Sequence, residues 1–313
     1  MSPTNASAVS LWGEYYEVDS LSACVRAAMA TWGTDLPYYY VAGLSGAAFA
    51  PSVCAAGDCV ACPVSPRSPS RIRFLGHALG FSVALSAARR DGWEDFRRRS
   101  GNAVNNGAVL LCGSWPCWSI ARNWQEDLSE LTLTAPLGLE PTCTVDEATR
   151  LCILRRTTPC LTTREAFKEA VRFGAAMTAG RTGRAEQITG LQFYDAWLSQ
   201  MEEPAFCPHG HPEGWRCAER VASGVVATSL AAVRFLNRIY SLPMDLSDRE
   251  DLDAAARSFA RLAAKLSPFT TGSGLDQIWQ RPSKRECYMR TLRCARSTHA
   301  SAATHLSGVA ALL

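Results

Sequence analysis

The chain has 313 residues, 47% hydrophobic and 19% charged, which suits a sizeable core and excludes intrinsic disorder. Its 32 basic and 29 acidic residues leave a net charge of +3, a balance that predicts neither nucleic acid nor an anionic membrane as partner. No apolar stretch is long enough for a bilayer, and the first residues lack the basic and apolar regions of a secretory signal, so the expectation is a cytoplasmic protein whose 13 cysteines are thiols or metal ligands.

In chain order, Asp19-Ser20-Leu21-Ser22 is a helix start, and a Ser or Asp cap opens an apolar helical run from Cys24 to Gly33. Leu36 to Phe49 is aromatic, then glycine-punctuated, and reads as a helix or strand entering a tight loop. Pro51 to Ser70 is loop by composition. His77 to Val83 reads as a helix end running into a strand. Another helix is expected from Trp93, ending at Gly107, then a short buried strand over Ala108–Cys112. Trp118–Trp124 and Glu130–Thr134 alternate like the arms of a hairpin.

From Thr162 the pattern turns helical. Thr162 with Glu165 forms a capping box before Phe167, Val171, Gly174 and Met177. Further stripes run Ile188 to Met201 and Val221 to Tyr240. Ser247 with Glu250 makes a second box ahead of Leu252 to Leu266, and a last helical stretch runs from about Ser283. The change of texture divides the chain into an α+β part, residues 1–160, and a helical part, residues 161–313.

Four places carry candidate chemistry. In the first turn of a helix a cysteine meets amides without intrahelical partners, and the dipole there favours thiolate, so Cys24 is the candidate nucleophile. Small residues at Gly43, Ser45 and Gly46 leave backbone amides open to a bound ligand or to a close packing neighbour. Cys54, Cys59 and Cys62 have the C-x4-C-x2-C spacing that suits zinc or, less well, an iron–sulfur cluster. Cys207, His209, His211 and Cys217 crowd one Pro/Gly loop and also suit zinc. Cys112 and Cys117 either join a thiol-rich site or pair with each other. Cys143, Cys152, Cys160, Cys287 and Cys294 read as packing thiols.

The order of elements, with Gly43-Leu-Ser-Gly-Ala-Ala-Phe49, Trp93-Glu-Asp-Phe96 and Gly190-Leu-Gln-Phe-Tyr-Asp-Ala-Trp197, resembles proteins with a butirosin-biosynthesis-type N-terminal domain. These are distant relatives of papain-like cysteine peptidases, including bacteriocin-processing peptidase domains. The resemblance implies a papain-like N-terminal half and a thiol-dependent acyltransferase or amide hydrolase acting on a small-molecule or acyl substrate. It also implies a histidine on the first hairpin strand, which would take the thiol proton. Trp118–Trp124 contains no histidine, and His77 is left as the candidate base. The alternative is a catalytically degenerate scaffold that binds a small molecule or a metal. A third reading gives the helical half a homodimer surface.

Overall fold

The computed structural model describes residues 19–54, 69–87, 98, 101–102, 106, 109–113, 118–123, 130–134, 142–144, 150–180, 187–202, 214–242, 246–270 and 281–312. Helix α1 (Ser20–Thr31) is followed by α2 (Tyr38–Ser45), strand β1 (Ser52–Cys54) and α3 (Pro69–Leu79). Strands β2 (Phe81–Ala87), β3 (Val109–Gly113), β4 (Trp118–Asn123), β5 (Glu130–Thr134), β6 (Thr142–Thr144) and β7 (Arg150–Arg156) come next. The rest is helical apart from β8 (Gln187–Thr189): α4 (Thr163–Thr178), α5 (Leu191–Glu202), α6 (Gly214–Ile239), α7 (Leu246–Leu266) and α8 (Pro282–Leu312).

One six-stranded antiparallel sheet has the order β2-β7-β3-β4-β5-β6. The architecture is therefore α+β, with helix predominating. The expected hairpin is β4 and β5, with a register shift between Ala121 and Asn123. The link from α3 to β2 also lies where the pattern puts it, whereas β7, paired between β2 and β3, has no counterpart in the sequence pattern. The helix expected from Trp93 falls largely outside the described residues.

Two local expectations change. Ile188 belongs to β8, which pairs with β1 through Val53↔Ile188, so α5 starts only at Leu191. Ser247 lies inside α7 and is not its cap. In contrast, Thr162 caps α4 as the sequence predicts: its hydroxyl accepts from the Glu165 amide, and Glu165 accepts from the Thr162 amide.

A single buried cluster holds the molecule together. It contains Leu21, Val25 and Leu44 from before residue 160 and Phe167, Phe235, Phe259 and Leu306 from after it. Phe49 is the hinge of this packing, edge-on to Phe235 at 5.7 Å and tilted on Phe259 at 6.0 Å. The core and the β1–β8 pair both cross the boundary that sequence texture places at 160/161. Among the described residues no helix is long and apolar enough to cross a membrane.

Candidate functional site at the start of helix 1

Asp19 is the N-cap of α1. Its Oδ2 accepts from the Ser22 amide at 2.8 Å and from the Ser22 hydroxyl. The first intrahelical bond runs from the Ala23 amide to the Asp19 carbonyl at 3.1 Å. The amides outside the intrahelical ladder are thus those of Ser20, Leu21 and Ser22, and Cys24 is the fifth helical residue. The dipole field fades beyond the first turn, so this helix end offers little to a thiolate at Cys24.

Helix phase seals the sulfur as well. Cys24 is 0% exposed and belongs to the core cluster with Leu21, Val25 and Ala28. It is a thiol, not half of a disulfide. His77 lies in the last turn of α3 with its side chain exposed, while its carbonyl accepts from the Cys160 and Leu161 amides. Among the described residues no hydrogen bond joins His77 to Cys24.

A network of polar side chains surrounds the capped end instead. The Asp19 amide donates to the Tyr38 hydroxyl at 2.9 Å, and the Trp118 amide, opening β4, donates to the Ser20 hydroxyl at 2.9 Å. These two bonds fix α1 to α2 and to the sheet. The Ser22 and Ser45 hydroxyls are 2.9 Å apart, and Ser45 donates to the Ala42 carbonyl at 2.9 Å. Asp19 is 8% exposed, and its Oδ1 is buried without a hydrogen-bond partner. That is an uncompensated acceptor, costly unless something donates to it.

Arg71, from α3, closes the opposite side. Its Nε donates to the Ser45 carbonyl at 2.8 Å and its Nη2 to the Leu44 carbonyl, so it satisfies two carbonyls at the C-terminal end of α2. Its guanidinium lies 3.5 Å from the centre of the Phe173 ring. Burial pushes its pKa down to about 9, and the charges of Glu169 and Asp19 oppose that shift. No local pattern points to this role, because Arg71 stands 26 residues from the Ser45 carbonyl it caps.

The glycines of the Gly43–Gly46 segment make room for aromatic rings. A Cβ on Gly43 would collide with the Phe235 ring, and one on Gly46 with the Phe173 ring. Gly46 also takes φ +82° as the C-cap of α2, where a side chain is strained. The groups that approach both glycines closely are the protein's own side chains. Ser45 is buried in the polar network described above.

Most of the two proposed metal loops lies outside the described residues: Cys59, Cys62, Cys207, His209 and His211. Cys54 is the last residue of β1, opposite Gln187, and Cys217 is in the first turn of α6. No group of three or more metal-ligating side chains is found among the described residues. Of the thiols read as packing groups, Cys152 is buried, and burial pushes its pKa up to about 12. Cys160, Cys287 and Cys294 are exposed instead. Cys160 sits in the link between β7 and α4, and the other two lie seven residues apart on the outward side of α8, where helical phase decides exposure. Neither the known protein-family models nor the curated proteins give a match to this chain.

Proposed function

We propose that the chain is a binding protein on a papain-related α+β scaffold that has lost, or never had, thiol chemistry at Cys24. The observation that carries this reading is the 0% exposure of Cys24 in the second turn of α1, on its core-facing side. A nucleophile must meet its substrate, and a sulfur with no exposed surface does so only after local unfolding. The scaffold kinship is supported by α1 packed on an antiparallel sheet through the Ser20–Trp118 bond and by the α1-α2-α3 order ahead of that sheet.

The ligand end of this reading is the capped start of α1, where the unpartnered Oδ1 of Asp19 favours a small molecule bearing an amine or hydroxyl donor. Its metal-binding form rests on the Cys54–Cys62 and Cys207–Cys217 loops. Elemental analysis of protein purified without added metal tests that form: about one zinc per chain supports it, and no zinc, iron or copper removes it.

Iodoacetamide labelling of the native protein, read by peptide mapping, separates the binding reading from the enzymatic one. Cys160, Cys287 and Cys294 are expected to react first, with Cys24 and Cys152 protected until the chain is unfolded. A Cys24 that labels faster than all three exposed thiols restores the thiol-dependent acyltransferase or amide hydrolase reading.

A further inference from the structure

The net charge of +3 conceals a strong segregation. Between residues 254 and 296 the chain carries nine Arg and Lys against two acidic residues, Asp276 and Glu286. The rest of the chain is therefore net negative.

The fold gathers this charge onto one antiparallel pair of helices. Phe269 meets Tyr288 at 4.5 Å, Phe259 meets His299 at 5.6 Å, and Asp251 meets His305 at 2.9 Å, so α7 and α8 run in opposite directions. This register sets Arg261 and Lys265 abreast of the stretch that carries Arg290, Arg293 and Arg296. Arg261, Lys265, Arg281, Arg290 and Arg293 are all exposed, and among the described residues none of the five makes an ion pair. Arg257 and Arg296 do pair, with Asp253 and Asp195. The acidic residues of α7, Asp248, Glu250, Asp251 and Asp253, lie toward its other end.

We propose that the outward face of α7 and α8, centred on Arg261, Lys265, Arg290 and Arg293, binds the phosphate backbone of nucleic acid. Unpaired cations on a rigid pair of helices repel one another, and the cost is relieved when a polyanion releases its counterions on binding them. Guanidinium forks match phosphate oxygens two bonds at a time. Residues 282–296 span about 22 Å of helix, and a duplex carries a charge about every 1.7 Å over such a length. Neither 254–270 nor 281–296 contains Asn or Gln, so the face has few groups for reading base edges, and binding should be independent of sequence.

A bilayer fits less well. A helix lying on a membrane needs apolar side chains to insert beside its cations. The large hydrophobics exposed among the described residues are Leu230 and Tyr240, on α6 and the turn after it.

The test is fluorescence anisotropy of the full chain with a labelled random-sequence DNA duplex of about 20 base pairs. Four phosphate contacts, one for each named cation, predict that affinity falls about 150-fold between roughly 50 and 200 mM salt. The variant R290E/R293E should bind at least about tenfold more weakly and lose about two from the salt slope. Its melting temperature should hold, since both side chains are exposed and unpaired. R290K/R293K should retain most of the affinity. R164E, exposed in the first turn of α4, should leave it unchanged. Absence of duplex binding at low salt overturns the proposal, as does an equal loss in R164E. It is also overturned by binding to phosphatidylcholine–phosphatidylserine vesicles without duplex binding. Salt-sensitive self-association without duplex binding would assign this face to a second copy of the chain and equally overturn it.

Discussion

His299 is enclosed by rings. It lies edge-on to Tyr194 at 5.5 Å and to Phe259 at 5.6 Å, and it is 1% exposed. The Phe49 carbonyl can only accept, so Nε2, 2.8 Å away, carries the proton, and Nδ1 is left buried without a partner. A second proton would have to sit on Nδ1, among aromatic edges. Burial accordingly pushes the pKa down to about 4, and the bond to Phe49 opposes the shift only partly. The unfolded chain takes up that proton near pH 6.5, so between about 6.5 and 4 the unfolded state binds more protons and stability falls as pH falls. Urea unfolding should show this residue costing about 2 kcal/mol on going from pH 7 to 5, at 1.36 kcal/mol per unit. H299F should flatten that part of the profile, and an identical slope in the two proteins would contradict the assignment. No periodicity pointed to His299, because a histidine in an Ala- and Ser-rich helix looks the same whether it faces water or core. Cys24 makes the converse point: the sequence located its helix, but the phase and the capping residue decided that its sulfur faces inward.

Among elements, the parts governed by near neighbours are the parts the pattern predicts well. The α4 capping box joins residues three apart, and Glu165 is held below the usual carboxylate range by hydrogen bonds from the Thr162 amide and hydroxyl. T162A removes the side-chain acceptor for the Glu165 amide. It should lower stability by about 1 kcal/mol, measured as a shift in the urea midpoint at constant slope, with T162S restoring most of the loss. Ser247 and Glu250 have the same spacing yet form no cap, because α7 has already begun at Leu246. A motif of four residues fixes a local bonding option, and the packing of the whole helix chooses whether it is used. The same holds for β8, whose helical-looking stripe at Ile188 is claimed by pairing with β1, far away in the chain. Arg71 is a further instance, capping α2 from another helix.

At the scale of the molecule, the boundary at 160/161 is a change of secondary structure within one continuous core. Tyr40 packs edge-on to Phe167 at 5.8 Å, Phe167 on Phe235 at 5.2 Å, and the Phe49 carbonyl accepts from both Thr178 at 3.1 Å and His299. Unfolding either part would expose the facing half of these contacts. A single calorimetric transition is therefore expected, with the calorimetric and van't Hoff enthalpies equal, whereas two resolved transitions would establish independent units. Residues 161–313 expressed alone should lack fixed tertiary signals in near-ultraviolet circular dichroism.

Composition, helical periodicity and turn residues were enough to give a globular α+β chain, the start of α1, the α3–β2 link, the β4–β5 hairpin and a helical second half. All of these depend on contacts between residues close in the chain. Tertiary structure alone decided that Cys24 is enclosed and His77 exposed, and that the Gly43 and Gly46 spaces are filled by Phe235 and Phe173. It also set Arg261 and Lys265 beside Arg290 and Arg293. Burial and the pairing of distant helices depend on which faces meet in space, and a linear pattern does not encode that meeting directly.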